Sequence, residues 1–200
     1  MKARRTNTRT NNRSNPPPSG PGAVLRGWYA DKAPLLLFGL KFGALTALFY
    51  LVLLIPALQK MVAALTVGEA RLAGALLNLI GQHNQVAGST LSAGVRSVIE
   101  VVPGCSGVDF LSFFTAAVLV FPVSLAKKCA GVLIGLPLLL TLNLLRIMSL
   151  FFIGLHYPGI FDVVHEQVWA LLLIATTIIL YITWMKWAGP ANLRTADAAA

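Results

Sequence analysis

Charged residues are scarce in this sequence. Only 12% of its 200 residues are Asp, Glu, Lys or Arg, whereas 56% are hydrophobic and the mean hydropathy is +0.74. A soluble domain typically carries about 25% charged and about 45–50% apolar residues. The composition therefore excludes an ordinary soluble domain and indicates an integral membrane protein.

Cysteine is also rare, with Cys105 and Cys129 as the two examples. They fall at opposite ends of one predicted span, about 36 Å apart along a helix, so they cannot form a disulfide with each other. One Cys and one His fall short of the three or four ligands that zinc needs. The glycines are scattered, as in packed membrane helices, and do not form a phosphate-binding loop. The sequence thus predicts neither a metal site nor a cofactor.

The basic residues are unevenly placed in a chain of net charge +9. Many of them precede the first long apolar segment, where they lack the interleaved aromatic residues of a nucleic-acid-binding patch. We therefore expect cytoplasmic retention and contact with acidic lipids, and no nucleic-acid partner. The Pro-rich and Asn-rich composition predicts a disordered cytoplasmic tail over residues 1–33. The apolar segment after it is too long for a signal peptide and is expected to remain as a span.

The apolar runs predict an all-α polytopic membrane protein. Residues 34–188 form its membrane domain, with about four transmembrane helices at 34–58, 107–126, 130–155 and 167–187. Residues 59–106 form an extracytoplasmic segment. Within it, residues 61–82 have apolar side chains at near-helical spacing around Glu69 and Arg71, which favours an amphipathic helix lying on the membrane. The β-branched run at 95–102 predicts a short strand.

Basic residues at the ends of the spans predict the orientation. Four spans fit with both termini in the cytoplasm, including the tail at 189–200, if Lys127, Lys128 and Lys186 lie there too. A further crossing at 61–82 would place the Lys127–Lys128 pair outside, which the positive-inside rule disfavours. Cys105 and His165 are then expected to share the outer face of the membrane.

A polar stretch ahead of the second predicted span contains Cys105. Ser106 followed three residues later by Asp109, with Gly107 between them, predicts a capping box at a helix start. Cys105 would then lie just outside a helix N-terminus, where free N–H groups and the helix dipole favour a thiolate. The stretch predicts a nucleophilic thiol at the membrane surface.

Arg146 lies inside an otherwise apolar predicted helix. An arginine there costs about 2.5–3.5 kcal/mol on insertion scales unless it is paired or hydrated, so it is a candidate functional residue. Asn143 precedes it by three residues and shares its helical face. The alternative interpretation is a structural polar clamp formed by Asn143, Arg146 and Asp109.

His165 is the third candidate. Asp162 and Glu166 flank it and either could orient the imidazole. It begins a span, as Cys105 does, whereas His156 lies in turn material and His83 in a surface loop. A Cys, a His and an Arg at one membrane face fit acyl transfer: the His takes the thiol proton and later protonates the leaving amine, and the Arg stabilises the oxyanion.

These residues resemble the exosortase/archaeosortase family, most nearly its small exosortase-H-type members. The resemblance rests on Cys105-Ser106-Gly107, on Asn143-Leu144-Leu145-Arg146-Ile147 and on His165 before the last span. It implies a cysteine transpeptidase of the bacterial inner membrane, with Cys105 as nucleophile, Arg146 positioning the substrate or transition state, and His165 as acid/base. Its partners would be exported proteins that end in a short motif, a transmembrane helix and a basic cluster, which it would transfer to an envelope acceptor.

The sequence is also compatible with two other functions. Water in place of the acceptor would make the protein a simple membrane cysteine protease. A scaffold or small transporter would instead use Asn143, Arg146 and Asp109 as a structural or ion-coupled cluster. Cys129 is expected to be a small apolar helix residue.

Overall fold

The computed structural model describes residues 21–94 and 98–189, with side chains from residue 32 onward. The chain divides into two compact units between residues 39 and 40. Most of the predicted disordered tail, the first part of the predicted strand and the C-terminal tail from residue 190 lie outside the described residues. The prediction of disorder is wrong for residues 21–33, which are helical because the chain enters α1 at Pro21, a favourable first helical position.

Helices dominate the described residues and confirm the all-α fold. The helices are α1 (Pro21–Leu53), α2 (Pro56–Leu79), α3 (Val108–Val120), α4 (Leu125–His156), the single turn α5 (Phe161–Val163) and α6 (Trp169–Ala188). Tighter 3₁₀ turns form at Pro103–Cys105 and Pro158–Ile160, and a wider π turn at Val164–Val168 joins α5 to α6.

Four helical segments in the described part of the chain are long and apolar enough to cross a membrane, as expected for a polytopic membrane protein. They are Lys32–Leu53, Pro56–Leu79, Leu125–His156 and Pro158–Ala188. The helix in the predicted span 107–126 is shorter: α3 has 13 residues, or about 20 Å, against about 30 Å of hydrocarbon. It ends because Phe121 precedes Pro122 and is extended, at φ −64° and ψ 134°.

Helix α2 exposes several of its large apolar side chains and buries several small and polar ones. Leu72 and Leu79 are exposed, whereas Glu69, Ala70 and Ala73 are buried. The interpretation as an amphipathic helix lying on the membrane did not anticipate that Glu69 is buried. The polar side chain points into the protein, as membrane helices require of their charged residues.

A small antiparallel sheet follows α2. Its strands are β1 (Gln85–Ala87), β2 (Thr90–Ser92) and β3 (Val98–Glu100), in the order β1-β2-β3. Gly88 adopts φ +62° in the two-residue turn between β1 and β2, a conformation that favours glycine. β3 falls within the predicted strand at 95–102 and leads into the segment that carries Cys105.

Two apolar clusters hold unit 40–200 together. One joins α2, the sheet and the second half of α4, and its buried members are Ala70, Ala73, Leu77, Leu91, Val101, Ile147 and Phe151. The other joins α3, α4 and α6, and its buried members are Phe114, Val118, Leu139, Trp184 and Ala188. A Cβ at Gly135 would overlap the Phe114 ring, so glycine is what lets α3 and α4 approach this closely.

The start of α4 is bound to the end of α6. The Lys127 Nζ donates to the Ala188 carbonyl at 2.7 Å, and Trp184 Nε1 donates to the Lys127 carbonyl at 3.1 Å. A lysine at this position satisfies a carbonyl that the helix end leaves without a partner. Lys127 near the start of α4 and Trp184 near the end of α6 therefore lie at the same end of these two helices.

Candidate active site

Cys105 is held in the 3₁₀ turn that connects β3 to α3. Val102 is extended before Pro103, which begins the turn. The Cys105 N–H donates to the Val102 carbonyl at 2.8 Å. Ser106 is fully buried, and its hydroxyl donates to the Pro103 carbonyl at 2.6 Å. These bonds fix the backbone on both sides of the thiol.

The predicted capping box does not form. The N-cap of α3 is Gly107, at φ +71°, and no side chain caps the helix. Ser106 uses its hydroxyl within the 3₁₀ turn, and Asp109 accepts a hydrogen bond from the Tyr50 hydroxyl at 2.8 Å. The left-handed backbone at Gly107 turns the chain from the 3₁₀ turn into α3, which a capping side chain on an extended residue would not do.

The imidazole of His165 meets the thiol of Cys105. The distance between Sγ and Nε2 is 3.2 Å, within hydrogen-bonding range for sulfur. His165 lies in the π turn Val164–Val168, and π turns of this kind occur frequently at functional sites. The ring of Phe161 lies 5.7 Å from the imidazole, centroid to centroid, and limits its rotation.

Arg146 lines the same cavity as these two residues. The cavity has a volume of about 200 Å³, and Cys105, Arg146 and His165 all contribute to its wall. Arg146 is 7% exposed, and its Nε atom is buried with no hydrogen-bond partner in the described part of the protein. A guanidinium held out of water beside a thiol and an imidazole can stabilise negative charge that develops there.

Asn143 connects Cys105 to α2. Its Nδ2 donates to the Cys105 carbonyl and to Glu69 Oε1, at 3.0 Å each. Asn143 is 1% exposed and Glu69 is 7% exposed. The Cys105 backbone is thus held by a buried side chain that is itself held by a buried carboxylate.

The sequence interpretation missed Glu69. It treated the carboxylate as evidence for a polar helix face, although an acidic residue flanked by Gly68 and Ala70 in an apolar helix is also typical of a buried functional group. This signal was present in the sequence. The sequence does not show that Glu69 pairs with Asn143 on α4, since this depends on how the two helices pack.

A family model of transmembrane exosortases matches residues 32–182, which is 151 of the 200 residues. The chain belongs to the transmembrane exosortase family. Cys105, Asn143, Arg146 and His165 of this exosortase all lie within the matched region, and so does Glu69. Neither the comparison with curated proteins nor that with solved structures gave a match.

Several other predicted residues of this exosortase lie away from its thiol. Asp162 and Glu166 are exposed, and neither forms a hydrogen bond with His165 among the described residues. His156 is exposed, with Nδ1 3.0 Å from the Phe152 carbonyl, and His83 is exposed as expected. Asp109 accepts a hydrogen bond from Tyr50, and Asn143 donates to Glu69 and to the Cys105 carbonyl, so these bonds do not form the alternative clamp of Asn143, Arg146 and Asp109.

The arrangement brings a thiol, an imidazole and a guanidinium to one small cavity. No group of three or more His, Cys, Asp or Glu side chains is placed to hold a metal ion within the described ranges. Cys129 is exposed near the start of α4, at the far end of that helix from the residues that pack near Cys105. Of the two thiols, Cys105 is the one that lies within hydrogen-bonding distance of an imidazole among the described residues.

Proposed function

We propose that this exosortase is a membrane-embedded cysteine transpeptidase that cleaves the C-terminal sorting signal of exported proteins through an acyl-enzyme on Cys105. The observation that carries the proposal is the 3.2 Å approach of Cys105 Sγ to His165 Nε2, beside a cavity that Arg146 also lines. Membership of the exosortase family supports a membrane sorting transpeptidase in general.

The first half-reaction transfers the substrate to the enzyme. His165 Nε2 takes the thiol proton, and the Cys105 sulfur attacks the carbonyl carbon of the scissile peptide bond. Arg146 stabilises the oxyanion of the tetrahedral intermediate. When the C–N bond breaks, His165 gives its proton to the leaving amine, and the substrate remains as a thioester on Cys105.

The second half-reaction releases the substrate. A nucleophilic group of an envelope acceptor gives its proton to His165 and attacks the thioester carbonyl, again through an oxyanion next to Arg146. The C–S bond breaks, and the proton returns to the Cys105 sulfur. The balance leaves the enzyme unchanged and the substrate joined to the acceptor.

The substrate class follows from the membrane setting and the family. An exported protein with a C-terminal motif, a transmembrane helix and a basic cluster would present its motif to Cys105 at the outer face of the bacterial inner membrane. Both termini of the exosortase would lie in the cytoplasm, where its basic residues contact acidic lipids.

Replacing Cys105 tests the proposal. A tailed substrate is followed by immunoblot in cells that carry the wild type, Cys105→Ala or Cys129→Ala. We expect unprocessed substrate to accumulate with Cys105→Ala, whereas Cys129→Ala behaves as wild type. Normal processing by Cys105→Ala would show that this thiol is not the nucleophile and would favour a scaffold or transporter.

Water as the acceptor would give a protease with the same acyl-enzyme. Mass spectrometry of the mature C-terminus separates the two outcomes. A mass added at the new C-terminus indicates transfer, and a free carboxylate on all mature substrate indicates hydrolysis.

A further inference from the structure

Strand β3 has one paired edge and one free edge. Its paired edge faces β2, where Val101 N–H donates to the Ser89 carbonyl at 2.9 Å and Ile99 lies opposite Leu91. Successive residues of a strand direct their backbone groups to opposite sides. The N–H and C=O groups of Val98 and Glu100 therefore point away from β2, and no described strand pairs with them.

The free edge lies along the candidate active-site cavity. Five consecutive residues, Val98–Val102, line the cavity that Cys105, Arg146 and His165 also line. Side chains of successive strand residues point to opposite faces of a sheet. A cavity lined by five successive residues is what a groove along the edge of the strand would give.

The edge ends at the nucleophile. The Val102 carbonyl accepts the Cys105 N–H, so the turn that carries the thiol continues directly from the strand. A chain paired with Glu100 would enter the cavity that Cys105 also lines. Ile147, Leu150 and Phe161 contribute apolar side chains to the lining of the same cavity.

We infer that the free edge of β3 binds the sorting motif of the substrate as an added strand, and that this holds the scissile carbonyl at Cys105. The inference rests on the proposed function, since it concerns the substrate of the same thiol. Main-chain hydrogen bonds provide affinity in this binding mode, and pockets for alternate side chains provide specificity. An extended peptide satisfies the outward groups of Val98 and Glu100, which an apolar or compact ligand does not.

Glu100 allows the backbone contribution to be tested by itself. Proline is tolerated on an edge strand where its missing N–H faces outward, so Glu100→Pro removes a substrate contact and keeps the β2–β3 bonds. Glu100→Ala removes the exposed side chain and keeps the N–H. With a tailed substrate whose processing depends on Cys105, we expect processing by Glu100→Pro to fall about 10-fold or more below processing by Glu100→Ala. Equal rates for the two variants would overturn the inference.

A scan of the substrate tests the same inference with an unchanged enzyme, in case Glu100→Pro fails to fold. Synthetic peptides of that substrate's motif carry a single N-methyl group at successive positions and compete for processing by the wild type. An added strand points every second N–H at β3, so we expect loss of competition at alternate positions. Uniform tolerance or a pattern without period two would overturn the inference. If processing does not depend on Cys105, the proposed function fails first, which distinguishes the two.

Discussion

The Sγ atom of Cys105 and the Nε2 atom of His165 lie 3.2 Å apart, although sixty positions separate the two residues in the chain. The thiol comes from a 3₁₀ turn before α3, and the imidazole from the π turn before α6. Neither turn is a regular α-helix, and each directly precedes the helix that follows. The pair therefore depends on local backbone geometry as well as on helix packing.

His165 is predicted to act as the acid/base. His165→Ala removes the group that takes the thiol proton and protonates the leaving amine, and general acid–base catalysis contributes about 10²–10⁴-fold. We expect a rate loss in that range, measured as processed substrate against time in isolated membranes. His156→Ala is the matched control, since His156 is exposed and its Nδ1 lies 3.0 Å from the Phe152 carbonyl of the same helix. A larger defect in His156→Ala than in His165→Ala would reverse the assignment.

Arg146 is predicted to require its guanidinium and not only its charge. Arg146→Lys keeps a cation but loses the planar, forked set of donors. Loss of one oxyanion donor costs about 10²–10³-fold in rate, so we expect a defect of that size in Arg146→Lys. Arg71→Lys, a change at an exposed position of α2, is the control and should behave as wild type. Wild-type activity of Arg146→Lys would show that charge alone suffices.

Composition and spacing were enough for the membrane class and for the three candidate residues. Arg146 was a candidate because a charged residue inside an apolar membrane helix has a high free-energy cost. Cys105 was a candidate because the sequence has only two cysteines. The end of α3 was mispredicted although Pro122 was visible, since apolar residues continue past it and hydropathy alone extends the span. The Pro rule was the better guide at this boundary.

The contacts that hold the site together were beyond prediction from the sequence. Whether Glu69 is buried depends on which face of α2 meets α4, and helical spacing alone leaves that choice open. The left-handed N-cap at Gly107 replaced a capping box that fits the same residues equally well. The π turn at Val164–Val168 has no sequence signature among the rules that place helices. In each case tertiary packing selects between local structures of similar free energy.

The Glu69–Asn143 hydrogen bond is predicted to stabilise the fold. Asn143→Leu leaves the Glu69 carboxylate buried without that donor, and a hydrogen bond to a charged group contributes about 1.5–3 kcal/mol. We expect a lower midpoint of thermal unfolding in detergent. Removing both polar groups in Glu69→Leu/Asn143→Leu should restore part of the loss, because the buried carboxylate is then gone and only the Cys105 carbonyl lacks the Asn143 donor. A double variant less stable than Asn143→Leu alone would contradict this explanation.

Gly107 is predicted to tolerate no side chain. A left-handed backbone costs an ordinary residue about 1–2 kcal/mol. A Cβ at this position would also lie 3.2 Å from Asn143 Cγ, next to the carbonyl of Cys105. We expect Gly107→Ala to lower both the unfolding midpoint and the processing rate. Gly104→Ala is the matched control in the same segment, since a Cβ there meets nothing within 4 Å and the position has no positive φ. Equal effects of the two changes would show that the turn accommodates side chains.

The two ends of α4 are predicted to lie on opposite sides of the membrane. The helix has 32 residues and is about 48 Å long, enough to cross the bilayer, and both Ser124 and His156 at its ends are exposed. In a Cys105→Ser/Cys129→Ser background, a membrane-impermeant maleimide added to intact spheroplasts should label His156→Cys. Ser124→Cys should react only after lysis, because Lys127 and Lys128 favour the cytoplasmic side. The opposite pattern would place Cys105 in the cytoplasm, where an exported substrate does not meet it, and so would exclude the proposed function together with the orientation.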